Sequence, residues 1–148
     1  MAAPFRIISL GQARSASVRK AASYFAKLRL TALLVSDEGG TGQGQGGDGG
    51  LGIFTEHDIV KLVAQGDGEG SNAKTVTIAE AMTRNPVCVC KGIPRASALA
   101  LMRAAKFRHL PLLDASGRVV GVLDVVTLGR ALFAEQKSLS AVFRQKVQ

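Results

Sequence analysis

The sequence predicts an α/β fold in which two similar β-α-β-β-α units pack sheet to sheet, and three observations carry this prediction. The chain has 148 residues, which is enough for one compact domain. One strand-like segment occurs twice, and apolar periodicity places a helix before and after each copy. Because a unit of about 60 residues buries only about 60% of its unfolded surface, the two units are expected to share a core.

The repeated segments are Leu30–Asp37 (LTALLVSD) and Phe107–Asp114 (FRHLPLLD), which align without a gap. A second apolar strand follows each of them, Leu51–Phe54 in the first copy and Val120–Leu123 in the second. Only the first copy carries a glycine-rich insertion, over residues 39–50, which is predicted to be a flexible hairpin loop. This insertion is not a phosphate-binding loop, because it lacks Gly-Lys-Ser/Thr and the chain leaves it as a strand.

Helices and a first strand complete the two units. Ile7–Ile8 predicts the first strand, and Ser17 is the predicted N-cap of a helix whose apolar positions continue to Leu28. Apolar residues at helical spacing predict the helices that follow the two strand pairs, over residues 58–64 and 127–133.

The domain organisation follows from these elements. Residues 1–72 form the first predicted repeat and residues 73–135 the second, with a polar, glycine-containing linker at 66–74. Residues 136–148 are predicted to be a C-terminal helical tail that contacts a partner or a second copy of the chain. The apolar side of this tail consists of Leu139, Val142 and Phe143.

The chain is basic, with 19 Lys and Arg against 11 Asp and Glu and a formal net charge of +8. The charge is spread through structured-looking sequence, which is typical of ordinary solvated faces. Six Phe, one Tyr and no Trp provide few rings that could stack on bases, so nucleic acid is an unlikely partner. No apolar run approaches the roughly 18 residues of a membrane span, so no membrane association is expected.

The cysteines and the N-terminus bear on location. Cys88 and Cys90 cannot build the disulfide framework of a small secreted domain, which indicates a reducing compartment and predicts a cytoplasmic protein. Residues 1–36 hold six basic groups and no acidic one, the composition of an organellar import sequence, so import is an alternative. A structural role is favoured, because the same pattern recurs in the second repeat.

The residues offer few routes to catalysis. With only His57 and His109 in the chain, a Ser-His-Asp or Cys-His constellation has few ways to form. Cys88 and Cys90 supply at most two thiolates, whereas a structural zinc takes four ligands. The run Glu56–Asp58 lacks the His-Glu-x-x-His spacing of a zinc protease. The sequence therefore predicts no enzyme, no metal site and no catalytic cofactor.

Three segments carry a resemblance to a known family. They are GIFTEHDIV (52–60), AMTRNPVCV (81–89), and FRHLPLLD (107–114) followed by GRVVGVL (117–123). Together they resemble a tandem cystathionine β-synthase (CBS) domain pair, or Bateman module, over about residues 5–135, and most resemble the CBS-pair proteins of plants and algae. The resemblance implies a regulatory homodimer that senses cellular energy or redox state through AMP, ATP or S-adenosylmethionine and has no chemistry of its own.

The resemblance also implies a first ligand cleft around a Gly-apolar-apolar-Thr-x-x-Asp segment. The Asp58 carboxylate would accept both ribose hydroxyls, through charge-assisted hydrogen bonds at an electrostatically favourable helix start. The alternative is that Asp58 only caps this helix, beside Thr55. The ligand-binding residues implied for this cleft are Gly52, Ile53, Thr55, Asp58, Asn85, Pro86, Val87, Cys90, Phe107 and Arg108.

A second cleft departs from the family pattern, because Asp124 stands where Ser or Thr is expected and Thr127 stands where the ribose-binding Asp is expected. The basic phosphate contacts of the family fall on Arg108 and His109. We therefore expect the diol-binding and phosphate-binding halves to lie in different clefts, with Arg108 bordering both. A packed, hydrogen-bonded core position is the alternative for His109. The candidate residues of the second cleft are Arg108, His109, Asp124 and Thr127.

Three functional hypotheses follow. The first is a regulatory module that binds an adenosyl ligand and, by population shift, modulates an unknown protein partner or its own oligomer. The second is a ligand-free dimerisation module whose interaction faces are the basic tail and the N-terminal helix. The third and weakest is a nucleic-acid contact through the +8 charge.

Overall fold

A computed structural model describes residues 5–36, 50–65 and 76–147 of the chain. In the first part the elements are β1 (Phe5–Ile8), α1 (Leu10–Ser15), α2 (Val18–Leu28), β2 (Ala32–Val35), β3 (Gly52–Thr55) and α3 (Glu56–Gln65). In the second part they are α4 (Ile78–Ala81), β4 (Thr83–Arg84), β5 (Val89–Cys90), α5 (Arg95–Ala105), β6 (His109–Leu113), β7 (Val119–Asp124) and α6 (Val125–Val147).

The strands form two sheets with the same local topology. One sheet has the order β1-β2-β3-β4 and the other β5-β6-β7. In each, a parallel pair (β1 with β2, β5 with β6) is followed by an antiparallel pair (β2 with β3, β6 with β7). The predicted fold class, two α/β repeats packed sheet to sheet, is confirmed.

The same backbone device ends the long helix of each repeat. Ser17 caps α2 by accepting the backbone N–H of Lys20, as predicted. Helix α2 then ends at Arg29 and helix α5 at Lys106, both in the left-handed region with φ of 50° and 59°. Such a C-terminal residue turns the chain sharply out of the helix and into the following strand.

Helix α1 is an element that the sequence analysis did not predict. Ser9 and Gln12 form a reciprocal capping box, in which each side chain bonds the backbone N–H of the other residue. The helix has only six residues, too short for apolar periodicity to reveal it. It buries Leu10 and Ala13 in the core of the first sheet.

Three apolar clusters hold the two sheets and their helices together. The first lies between the β1–β4 sheet and its helices, where the rings of Phe25 and Phe54 stack with centroids 5.8 Å apart. The second joins the sheets, because Val122 of β7 is fully buried against Leu34 and Ile53 of β2 and β3. The third packs α5 and α6 on the β5–β7 sheet around Leu110.

The segment that opens the second predicted repeat packs in the core of the first. Ile78, Ala79 and Met82, in and just after α4, lie in the same buried cluster as α1 and α2. A backbone hydrogen bond also joins the two segments, because Ile78 donates its N–H to the carbonyl of Ala16 at 3.0 Å. The predicted repeat boundary at residue 72 falls, with the linker 66–74 and most of the 39–50 insertion, outside the described residues.

The last helix, α6, runs without a break from Val125 to Val147. It therefore combines the helix predicted over residues 127–133 with most of the predicted tail. Its first turns pack on α5, and Arg95 of α5 forms an ion pair with Glu135 of α6. No helix in the described ranges is long and apolar enough to cross a membrane.

Candidate functional site

A cavity of about 700 Å³ opens where the starts of α3 and α6 meet the loops before β5 and β6. Its volume is in the range typical of small-molecule sites. Eight of the ten residues predicted for the first cleft line it, namely Ile53, Thr55, Asp58, Asn85, Pro86, Val87, Phe107 and Arg108. His109 and Asp124, predicted for the second cleft, line the same cavity.

Three predicted site residues do not line this cavity. Gly52 packs instead against Met82, whose Sδ atom would lie 2.5 Å from a Cβ at position 52. Cys90 lies on β5 and pairs with Leu113 of β6. Thr127 lies in the first turn of α6.

Asp58 is positioned by the start of α3. The helix begins at Glu56, two residues earlier than predicted, so Asp58 lies inside its first turn rather than at the N-cap. Ile59 and Leu62, the apolar residues that follow, pack on the first core and fix the rotation of the helix. The Asp58 Oδ2 atom accepts the backbone N–H of Thr55 at 2.9 Å. This bond is one half of a capping box, so the capping interpretation of Asp58 is partly correct.

The environment of Asp58 is less polar than that of an ordinary helix-start carboxylate. Burial raises the pKa of the Asp58 carboxyl, and it outweighs the hydrogen bond from Thr55 and the charges of Lys61 and His57, which lower the pKa. In the described part of the chain Thr55 is the only donor to Asp58. The carboxylate therefore retains unused hydrogen-bonding capacity at the cavity, which a ligand hydroxyl can satisfy.

The loop of Asn85, Pro86 and Val87 forms a second wall. Asn85 has φ of 50°, a left-handed conformation that Asn tolerates better than most residues. Its N–H donates to the carbonyl of Leu51 at 2.9 Å, which ties the loop to the chain entering β3. Val87 is half-exposed at the cavity, so this wall offers an apolar surface to a flat ring.

A third wall is basic and comes from the turn between α5 and β6. The left-handed Lys106 directs Phe107 and Arg108 toward the cavity, and all three residues line it. The carbonyl of Arg108 accepts the N–H of Val125 at 2.9 Å, which ties this turn to the start of α6. Asp58 and Arg108 thus line one cavity, which agrees with the expectation that Arg108 borders the first cleft.

The Asp124 carboxylate accepts backbone hydrogen bonds at the start of α6. Its Oδ1 atom accepts the N–H groups of Val126 and Thr127 at 2.8 and 2.9 Å, so Asp124 is the N-cap of α6. The two repeats therefore cap equivalent helices in opposite ways. In the first repeat, Asp58 lies inside α3 and accepts the N–H of the residue before the helix. In the second repeat, Asp124 precedes α6 and accepts N–H groups of residues inside the helix.

His109 lies beside Asp124 at the rear of the cavity. Its Nε2 atom is buried and has no hydrogen-bond partner among the described residues, and the Asp124 Oδ2 atom lies 3.7 Å away. This distance is too long for a hydrogen bond. His109 is therefore packed, as expected, but the expected hydrogen bond is not made at its Nε2 atom within the described chain.

Sequence reasoning missed several lining residues. Lys106 directly precedes the motif around Phe107, and Lys61 lies one helical turn after His57, so both could have been found by extending the motifs along α3 and α5. Val126 could not, because its exposure at the cavity depends on how α6 begins. In the described part of the chain no cluster of His, Cys, Asp or Glu could hold a metal ion. The missed lining residues include Thr31, Glu56, His57, Val60, Lys61, Thr83, Lys106, Val125 and Val126.

Part of this chain is similar in sequence to known proteins. Residues 78–133 match the family model of the CBS domain. A CBS domain-containing protein of Arabidopsis thaliana, CBSCBSPB5, is 33% identical over 92 residues, which cover 62% of this chain and 16% of that protein. The matched part thus spans about one sixth of the relative's length.

Solved structures match over more of the chain. A CBS-domain protein from Agrobacterium tumefaciens superposes with a TM-score of 0.67 at 25% identity, covering 87% of this chain and 90% of that one. The CBS domain pair of protein MJ0100, solved in complex with 5′-methylthioadenosine and S-adenosylmethionine, superposes with a TM-score of 0.66 at 27% identity. That superposition covers 89% of this chain and 90% of the other.

Proposed function

Since this chain belongs to the CBS-domain proteins, we propose that it is a regulatory, non-catalytic module that binds an adenosyl ligand in the cavity between its two repeats. One observation carries the proposal. Asp58, with unused acceptor capacity, and the cation of Arg108 line a single cavity of about 700 Å³. The MJ0100 domain pair, which has a similar fold, binds two adenosyl compounds.

The proposed pose uses the three walls in turn. The Asp58 carboxylate accepts the vicinal ribose hydroxyls, and the Thr55 hydroxyl lies beside it. The adenine ring packs on the apolar surface of Pro86 and Val87. An anionic group, where the ligand has one, extends toward Arg108. Because the walls come from both repeats, the occupied cavity resists their separation, and the ligand shifts the population toward one arrangement of the repeats.

The size of the ligand sets the expected affinity. A molecule such as AMP has about 23 heavy atoms, and at roughly −0.3 kcal/mol per atom it gains about 7 kcal/mol. This free energy corresponds to a dissociation constant of about 10 μM. Such an affinity suits a sensor that responds to changes in metabolite level, and calorimetry can measure it directly.

Isothermal titration of the full chain with AMP, ATP, 5′-methylthioadenosine and S-adenosylmethionine tests the proposal. We expect at least one of them to bind with micromolar affinity, and Asp58→Ala to weaken that binding at least about tenfold, because a charge-assisted bond contributes about 1.5–3 kcal/mol. Glu80→Ala is the matched control. Glu80 accepts the N–H of Thr77 at 2.8 Å at the start of α4, but it is not a lining residue of the cavity. Equal affinity in the two variants, or no binding of any probe, refutes the proposal.

A ligand-free interaction module is the second candidate, and the second half of α6 favours it. Leu139 and Val142, in the second half of the helix, are 70% and 50% exposed. A short helix is marginal in water by itself. Sedimentation velocity of the chain and of a Leu139→Ser, Val142→Ser double variant distinguishes a self-associating module from a monomer.

A further inference from the structure

The buried face of His109 gives the cavity a titratable group that the proposed pose does not use. Although the Nε2 atom is buried, no group in the part of the chain that the structure describes is hydrogen-bonded to it, and it lies 3.7 Å from the Asp124 Oδ2 atom. The other Asp124 oxygen already accepts two N–H groups of α6, so the carboxylate cannot swing freely toward the imidazole. A small change in local charge can therefore decide whether Nε2 carries a proton.

Four charged groups act on the His109 imidazole. Asp124 approaches from the end of β7, Glu56 and Asp58 from α3, and Arg108 precedes it in the chain. Burial lowers the pKa of the His109 imidazole below its ordinary value of 6.5 and outweighs the three acids, which raise it. Arg108 lowers it further. The remaining cations of the cavity wall are Lys61 and Lys106.

We propose that a phosphate-bearing adenosyl ligand brings a proton to His109 when it binds, whereas an uncharged adenosyl ligand does not. This inference rests on the proposed function. A phosphate placed toward Arg108 adds negative charge to the site and offsets the cation, which favours the imidazolium. An uncharged ligand only displaces water and favours the neutral imidazole. His109 thus makes the selection between anionic and uncharged adenosyl ligands depend on pH.

AMP and 5′-methylthioadenosine are the matched probes, because they share the adenosyl group and differ in the phosphate. Titration at pH 7 in two buffers of different protonation enthalpy measures the protons taken up. We expect a measurable fraction of a proton to accompany AMP and close to none to accompany 5′-methylthioadenosine. The ratio of AMP affinity to 5′-methylthioadenosine affinity should also rise, by about threefold or more, from pH 8 to pH 6.5.

His109→Gln removes the proposed proton site and keeps a polar side chain. Because a phosphate monoester itself titrates near pH 6, proton uptake is compared between this variant and the wild type at the same pH. We expect uptake with AMP to disappear in His109→Gln. The wild-type comparison of the two probes stands by itself if His109→Gln does not fold.

The outcomes separate the two proposals. Binding of both probes without a difference in proton uptake, or uptake that survives in His109→Gln, overturns the role of His109 and leaves the proposed function intact. Binding of 5′-methylthioadenosine alone at both pH values also overturns it. Failure of every adenosyl probe to bind overturns both.

Discussion

Asp58 accepts the backbone N–H of Thr55 at 2.9 Å, so the carboxylate that we assign to the ligand also stabilises the start of α3. Glu80 makes the equivalent bond to Thr77 at 2.8 Å at the start of α4. The two acids nevertheless differ in their titration. Burial raises the pKa of Asp58, whereas the bonds from Thr77 lower the pKa of the exposed Glu80. The same capping bond thus occurs in two environments. The start of α3 favours the neutral form of its acid, and the start of α4 favours the carboxylate.

Replacing each acid by its amide should therefore change stability in opposite directions. A raised pKa means that the contribution of Asp58 to stability is present below pH 3.8 and is lost as the pH rises through the folded-state pKa. At pH 7 the ionised, partly desolvated carboxylate lowers the free energy of unfolding. Asp58→Asn should therefore raise the free energy of unfolding while it weakens adenosyl binding. Glu80→Gln should lower the free energy of unfolding, because its contribution is present above pH 4.5.

Urea denaturation at pH 7 measures both variants. A loss of stability in Asp58→Asn equal to that in Glu80→Gln would contradict the assignment of Asp58 to a desolvated cavity wall. The amide oxygen of Asn can still accept the Thr55 N–H, so the capping bond itself is not the variable under test.

Gly52 should prove to be a packing residue and not a ligand contact. A Cβ at this position would lie 2.5 Å from the Sδ atom of the buried Met82, which must then move within a filled core. We expect Gly52→Ala to cost about 1–3 kcal/mol of stability. Gly129→Ala, at a position in α6 where an added Cβ would meet no described atom within 4 Å outside its own helix backbone, should instead gain about 0.5–1 kcal/mol.

A double variant identifies the clash. Met82→Ala alone should cost stability by leaving a cavity, but Gly52→Ala combined with Met82→Ala should cost less than the sum of the two, since one methyl group fills part of the space. Strict additivity, measured by thermal or urea unfolding, would show that Gly52 and Met82 are not in contact.

Particular residues show how far the sequence could predict this structure. The aligned segments around Leu33 and Leu110 identified two strands because apolar runs flanked by helices are local signals. Ser17 was found as an N-cap for the same reason. Helix α1 was missed, because its six residues are stabilised by the capping box of Ser9 and Gln12 and by packing against α4.

The site shows the same division between local and long-range information. The motif residues Asp58 and Arg108 could be chosen from the sequence because the resemblance marks them individually. The resemblance also groups them in one cleft, but the presence of His109 and Asp124 in the same cavity could not be chosen in this way, because they were assigned to a second cleft. Likewise, the sequence shows Asp124 at an unusual position, but only the structure shows that the Val126 and Thr127 N–H groups occupy its Oδ1 atom.

Asp124 should contribute to stability mainly as a cap. Its Oδ1 atom accepts two N–H groups of the first turn of α6. These groups have no carbonyl acceptor within the helix. We expect Asp124→Ala to lower the free energy of unfolding by about 0.5–2 kcal/mol, and Asp124→Asn to remain close to wild type, because Asn is as good an N-cap as Asp. Helicity of α6 by circular dichroism, together with urea unfolding at pH 8, checks both. A large loss in Asp124→Asn would mean that charge, not capping, is what this residue supplies.

The lowered pKa of His109 predicts how the stability of the ligand-free protein depends on pH. A group with a depressed folded-state pKa contributes stability above its unfolded pKa, here 6.5, and that stability is lost as the pH falls through the folded value. The unfolded chain takes up the proton first, so the free energy of unfolding should decline from pH 7 to pH 5.5. In His109→Gln this decline should be shallower, because the protons bound in the two states then differ less. Urea midpoints at half-unit pH steps measure the slopes, and parallel curves for the wild type and His109→Gln would show that the buried Nε2 is not the group that titrates.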